Sequence, residues 1–241
     1  LDLSTEVASS LPAQLPIATR SLTALSSSSY GYYAGGITST PATVCTISRL
    51  DFSTDSISAP GSYQLTEARR LLTSVSSTNY GYFGGGINVP GVIVNTIDRI
   101  DFSNETVNAQ TNDLTQARND FIAVPSTNYG YFNGGNVPGP SNVCTIDRID
   151  FTTETTSVAV NYSADYYGYY ASGFTPTTTT SVERVEFSTE TVSNLYGSKL
   201  PTGRGEFGSV VGSRSLNLTR NYFSESAAYG YFGGGFPGST C

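Results

Sequence analysis

Tyr80-Gly81-Tyr82-Phe83-Gly84-Gly85-Gly86 is the stretch on which the fold turns. It returns as YGYYAGG at 30–36, YGYFNGG at 129–135, YGYYASG at 167–173 and YGYFGGG at 229–235. The leading tyrosines, Tyr30, Tyr80, Tyr129, Tyr167 and Tyr229, are 50, 49, 38 and 62 residues apart. Self-similarity at roughly 50 residues is the mark of a propeller or a repeat array. Within the motif, Tyr80 and Tyr82 fall on one face of a strand and Phe83 on the other. Aromatics on both faces suit a sheet packed between two neighbouring sheets. The glycines end the strand and permit positive φ or close backbone approach.

Working outward, a Pro/Gly-rich loop follows each copy: 37–42, 87–92 and 136–141. A third strand comes next, as Cys45-Thr46-Ile47-Ser48-Arg49-Leu50-Asp51-Phe52 and Asn95-Thr96-Ile97-Asp98-Arg99-Ile100-Asp101-Phe102, again at 144–151 and 181–187. Ser103-Asn104-Glu105-Thr106 reads as a turn into a weak outer strand. Ahead of each tyrosine stands an Arg-containing segment, Ala18-Thr19-Arg20, Leu65-Thr66-Glu67-Ala68-Arg69 or Leu114-Thr115-Gln116-Ala117-Arg118. The small and apolar residues after it suit an innermost strand. The 38-residue unit lacks that segment, so the reading there is a lost or shortened strand. In the 62-residue unit either Arg204 or Arg220 is the counterpart. Helical periodicity is absent throughout.

The residues at 1–6, Leu1-Asp2-Leu3-Ser4-Thr5-Glu6, match Ile100-Asp101-Phe102-Ser103-Asn104-Glu105, and the chain ends at Cys241 just where a third strand is due. The expectation is one all-β domain over 1–241: a five-bladed β-propeller whose last blade is closed by N- and C-terminal strands, leaving no open sheet edge. The lack of Met points to processing or to a longer parent polypeptide.

Composition narrows the function. The 241 residues include no His and no Trp, carry a net charge of −7 and are 13% charged. Without His, Ser-His-Asp triads and His-ligated metals are excluded. Acidic charge argues against a nucleic-acid partner, and no apolar run approaches a membrane span. No metal-like acidic spacing and no cofactor motif is present, so a non-catalytic binding or structural role is expected. Cys45 and Cys144 hold equivalent repeat positions and Cys241 a similar one, too far apart in a ring for a disulfide. Free, partly buried thiols are expected.

The unit resembles the kelch repeat: Arg69 in a first strand, Gly85-Gly86 closing a second, Asp98-Arg99-Ile100-Asp101 in a third. The usual Trp is missing; Val107 or Val192 stands near its place. The wording YGYFGGG followed by IDRIDFSNET further resembles repeat virion structural proteins of marine tailed phages, cyanophages especially. That resemblance implies a tail, fibre or appendage component on an extracellular particle, in contact with other virion proteins or a host-surface glycan or protein, within a symmetric assembly. The copper chemistry of galactose-oxidase-like kelch proteins needs histidines and does not carry over. A secreted lectin-like propeller and an intracellular kelch adaptor are the alternatives.

Candidate binding residues follow from the ring. Arg20, Arg69, Arg118 and Arg204 would surround one channel mouth, offering guanidinium groups to carboxylates or sulfated sugars; ion pairing between blades with Asp51, Asp101, Asp150 or Glu186 is the favoured structural reading. Arg49, Arg99, Arg148 and Arg184 are expected to pair with their own acidic neighbours. Asn88, Pro90, Asn136 and Pro138 sit in the variable loops, where recognition usually lies. Tyr162 and Tyr196 fall outside the repeated frame and are candidates for exposed contacts.

Overall fold

The computed structural model describes residues 14–159, apart from 41, 60, 62 and 140, and beyond them the strand backbones at 167–171, 179–186, 191–205, 209–212 and 236–237. These residues form an all-β structure with no helix among them. Three units repeat one four-stranded antiparallel meander. The first unit runs Thr23–Ser26, Tyr30–Ala34, Ile47–Asp51, Ser56–Ser58; the second runs Thr73–Ser76, Tyr80–Gly84, Ile97–Asp101, Val107–Ala109; the third runs Ile122–Pro125, Tyr129–Asn133, Ile146–Asp150, Thr156–Val158.

Register is the same in all three. Tyr80 lies opposite Asp101 and Tyr82 opposite Arg99; Tyr30–Asp51 and Tyr129–Asp150 repeat the pairing. The period of two therefore gives every unit the same two faces. At Tyr80–Gly84 the alternation places Tyr82 in one core and Phe83 in another. Phe83 joins Leu25, Tyr32, Ile47, Leu72 and Ile100, between the first and second sheets. Tyr82 joins Val75, Ile97, Phe121, Phe132 and Ile149, between the second and third. The cores thus lie between sheets. A single sheet buries neither face by itself.

The first strands of successive units lie side by side, Thr23–Ser26 against Thr73–Ser76, then Ile122–Pro125, then Ser209–Gly212. Small side chains permit that approach: Thr23 and Ser74 hydroxyls are 2.8 Å apart, and Ser74 Oγ donates to Ala24 O at 2.9 Å. Gly36 N–H donates to Arg69 O (2.8 Å) and Gly86 N–H to Arg118 O (2.7 Å), so the first two Gly-Gly turns are each held by the next unit's backbone.

The fourth sheet departs from the pattern. Its order places Ser209–Gly212 beside Tyr167–Ala171, followed by Thr179–Glu186, Thr191–Gly205 and Phe236–Pro237. The strand missing ahead of Tyr167 is therefore replaced rather than lost. Its place is filled by 209–212, from the later, longer unit, with Tyr167 opposite Gly212. The long Thr191–Gly205 strand absorbs much of that unit's extra length, with register shifts against Thr179–Glu186.

Candidate functional site

The repeated arginines divide into two sets with different work. Arg69 follows Leu65-Thr66 and precedes the first strand of its unit, where its side chain turns inward and is fully buried. One guanidinium nitrogen donates to Gly85 O and Thr96 O, both at 2.8 Å; the other donates to Asp98 Oδ2 at 2.5 Å. Asp98 also accepts from Thr66 N–H (3.2 Å) and Thr66 Oγ1 (2.6 Å). Arg118 repeats this with Gly134 O, Thr145 O and Asp147, and Thr115 takes Thr66's part. Burial lowers the Arg118 pKa, and Asp147 opposes that shift. The two terminal guanidinium nitrogens, one bonded to two carbonyls and the other to a carboxylate, tie the Gly-Gly turn to the third strand, while Nε is left without a partner.

Ion pairing at Arg69 and Arg118 is thus present, but with different acids from those expected. The partners are Asp98 and Asp147, in place of Asp101 and Asp150, and each lies in the arginine's own unit rather than in a neighbouring blade. Asp51, Asp101 and Asp150 instead close the turn after the third strand, accepting from the backbone N–H two residues on at 2.8 Å. Hydrogen bonds from Ser53 and Ser103 hold the Asp51 and Asp101 carboxyls below their usual pKa. Fully buried guanidinium groups cannot form an open ligand ring, so Arg69 and Arg118 are framework residues.

Arg20 is exposed and occupies the place of Arg70, since Thr19–Arg20 pairs with Ile37–Thr38 as Arg69–Arg70 pairs with Ile87–Asn88. The residue aligned with Arg69 is Thr19, and the one aligned with Asp98 is Ser48. In the first unit both charges are missing together. A cavity of about 40 Å³ remains, lined by Thr19, Tyr33, Gly35, Thr46 and Ser48, the counterparts of the Arg69 cradle.

The second set spans sheets. Arg49 Nη1 donates to both Glu105 oxygens (3.0 and 2.9 Å), and Tyr32 Oη donates to Glu105 Oε1 at 2.9 Å. Tyr32 stacks on Phe102 with centroids 5.5 Å apart and planes 12° apart. The Arg49 guanidinium lies 4.5 Å over the Tyr30 ring. One unit on, Arg99, Tyr82 and Tyr80 meet Glu154 and Phe151 in the same way, with Arg99–Glu154 at 2.8 Å, Tyr82 Oη–Glu154 at 2.9 Å and stacked rings at 5.5 Å. Burial works against ionisation of Glu105, but hydrogen bonds from Tyr63, Arg49 and Tyr32 outweigh it and its pKa lies below the usual value. Burial and the adjacent carboxylates raise the pKa of Tyr32 and Tyr82.

Arg49 and Arg99 were expected to pair with acids in their own strand. Their partners are glutamates of the next unit's turn. The nearest own acid, Asp98, is on the opposite strand face from Arg99, and Asp101 is committed to its turn. Glu105 and Glu154 escaped the sequence reading, although each stands at the same turn position of the repeat. Both adopt left-handed φ (58° and 55°), as does Asp55 (52°) at that position in the first unit. Arg148 lies 4.5 Å over Tyr129.

The loop candidates lie at the end of the sheets where the second strand leaves and the third begins. Asn88 is half-buried and internally bonded, its Nδ2 donating to Glu67 at 2.9 Å and its Oδ1 accepting from Val92 N–H at 3.0 Å. Pro90 follows a cis peptide bond and is exposed beside Val89 and Val92. Asn136 exchanges backbone hydrogen bonds with Asn119 (2.9 and 3.0 Å), while Pro138 is exposed. Arg204 pairs through its backbone with Pro237. Tyr196 lies in the Thr191–Gly205 strand, and Tyr162 lies outside the described residues. Cys45 is a half-buried free thiol and Cys144 an exposed one, against the expectation of partial burial for both. Among the described residues no group of three or more His, Cys, Asp or Glu side chains is assembled for a metal ion, and no helix is long and apolar enough to cross a membrane.

No protein-family model matches the chain, and no curated protein matches its sequence.

Proposed function

We propose that the chain is a non-catalytic structural module of a virus particle, a tail, fibre or surface appendage component that attaches to other virion proteins or to a host surface. The observation that carries this reading is the use of the repeated charged side chains. In the second and third units Arg69, Arg118, Asp98 and Asp147 are consumed inside a sheet, while Arg49, Arg99, Glu105 and Glu154 join one sheet to the next. Repetition serves rigidity, and the Pro/Gly loops at one end differ in sequence from unit to unit. A rigid scaffold carrying variable loops is a common platform for recognition. The wording of the repeat supplies the viral part of the reading through its resemblance to phage virion proteins.

We further propose the architecture as a five-bladed kelch-like propeller. Its support is the side-by-side run of first strands, the shared register of the first three units, and the fifth copy of the motif at 229–235. Mass spectrometry of purified particles tests the function. The chain is expected at fixed stoichiometry after density-gradient purification, and its absence from particles overturns the reading. Saturable binding to a glycan array by the isolated chain, without particle association, would favour the lectin alternative.

A further inference from the structure

A cradle that holds an arginine in two units stands open in the first. In the second unit the Arg69 guanidinium meets Gly85 O, Thr96 O and the Asp98 carboxylate, and Thr66 steadies that carboxylate. Arg118 is met in the same way by Gly134 O, Thr145 O and Asp147, with Thr115 in the part of Thr66. In the first unit Thr19 replaces the arginine, Pro16 replaces Thr66 and Ser48 replaces the aspartate. The backbone acceptors are kept, since Gly35 and Thr46 stand where Gly85 and Thr96 do. Thr46 O still accepts from Gly35 N–H at 3.0 Å, but no described residue donates to Gly35 O. Among the described residues the hydroxyls of Tyr33, Thr46 and Ser48 also lack a hydrogen-bond partner. All of these groups line the cavity of about 40 Å³. Ser48 is only 7% exposed, so its unpaired hydroxyl is held largely away from bulk water, where a partner is worth most.

The substitutions decide what fits. Carbonyls that accept N–H groups remain, and the carboxylate that balanced a charge is gone. No charged side chain among the described residues lines the cavity, and Ile17 stands in the place of Glu67. A cation there would be buried without a counter-charge; a neutral N–H donor suits the site. The rest of the wall is apolar, with Leu22 and Val44. At roughly 10–15 Å³ for each water-sized group, the space takes about three or four heavy atoms, which is one substituent and not a whole ligand. An acetamido group has that size, an N–H, a carbonyl and a methyl.

We propose that the first-unit cradle is a subsite for the acetamido group of an N-acetylated sugar. The amide N–H donates to Gly35 O, the amide carbonyl accepts from the Ser48 hydroxyl, and the methyl lies against Leu22 and Val44. The sugar ring stays outside, on the ledge formed by exposed Pro16 and Ile17, the latter 54% exposed. The proposal deepens the host-surface reading above and rests on it for the source of the sugar.

The test is saturation-transfer NMR on the full chain, with the methyl glycoside of N-acetylglucosamine as the probe. Methyl glucoside, methylguanidinium and N-acetylglycinamide are the comparisons. The expected result is transfer strongest at the acetyl methyl, none to methyl glucoside, and a several-fold weaker affinity in Ser48→Ala. Pro16→Thr, Thr19→Arg and Ser48→Asp together copy the second unit's clamp into the first. That variant should fill the cradle with the chain's own guanidinium and abolish the signal. A signal that persists in it, or equal transfer to methyl glucoside, overturns the subsite. Displacement of the probe by methylguanidinium at lower concentration overturns it too, because the cradle is then a cation site. N-acetylglycinamide that binds as well as the sugar assigns the cradle to a peptide and overturns the sugar. Should the triple variant not fold, Ser48→Ala decides alone, and unchanged affinity in it overturns the subsite. Particle analysis separates the two failures. A chain that travels with particles but shows no transfer refutes the subsite alone, whereas transfer without particle association supports the subsite and refutes the viral reading.

Discussion

At the scale of single residues, the chain contains its own experiment on a buried ion pair. The second and third units hold Arg and Asp at matching places, and the first unit holds Thr19 and Ser48. Removing one partner of a buried pair leaves an uncompensated charge and costs about 3–5 kcal/mol. Removing both leaves chiefly a cavity, and at ~24 cal/mol per Å³ a hole of about 40 Å³ costs about 1 kcal/mol. Arg69→Thr and Asp98→Ser are therefore each expected to lose about 3–5 kcal/mol in urea unfolding, and the double variant clearly less than their sum. Additive losses would show that the pair is not coupled. Glu105 contributes to the acid limb of stability. Its folded pKa is depressed, so its contribution is present above the unfolded value of about 4.3 and is lost as pH falls through the folded pKa. Stability of the wild type should fall as pH drops below the unfolded value of about 4.3, and Glu105→Gln should flatten that fall; an unchanged acid limb would remove Glu105 from the account. The sequence shows that these charges repeat. It does not show the partners, because pairing across an interface depends on how one sheet stands against the next.

At the scale of elements, strands are the most legible part of the chain. Period-two aromatics and the Gly-Gly stop place Tyr80–Gly84, and the Ile-Asp-Arg-Ile-Asp stretch places Ile97–Asp101. The replacement of a strand beside Tyr167–Ala171 by Ser209–Gly212 was not legible. Nothing local to 209–212 names its partner, which lies in an earlier unit. The Gly-Gly turn shows what the motif's last letters are for. Gly85 has φ +60°, and a Cβ there would lie 2.5 Å from Arg118 O. Gly91 also has positive φ but meets nothing within 4 Å. Gly85→Ala must therefore displace the neighbouring unit's backbone as well as strain its own, and should lose about 2 kcal/mol or more. Gly91→Ala carries only the backbone strain of about 1–2 kcal/mol. Parallel melts of the two variants check this, and equal losses would mean that the close approach to Arg118 is not a constraint.

At the scale of the whole molecule, the location of the cores decides how the chain folds. Phe83 is buried against the first unit and Tyr82 against the third, so the second sheet by itself exposes both faces. Polar ties follow the same rule. Glu105 belongs to one unit and serves the Tyr32 and Arg49 of the unit before it. Stability then resides largely in nearest-neighbour terms, as in other repeat architectures. A peptide of one unit, residues 64–110, is expected to lack β-sheet circular dichroism and to show no cooperative melt. A two-unit fragment, residues 14–110, includes the whole Tyr32–Phe83–Ile100 core and one complete Arg49–Glu105 clamp. It should recover sheet signal, and Glu105→Ala should lower its melting temperature more than Glu154→Ala lowers that of the full chain, because fewer interfaces share the load. A single unit that folds cooperatively would place the core inside the sheet rather than between sheets, and would undo the assignment of Tyr82 and Phe83 to separate neighbours.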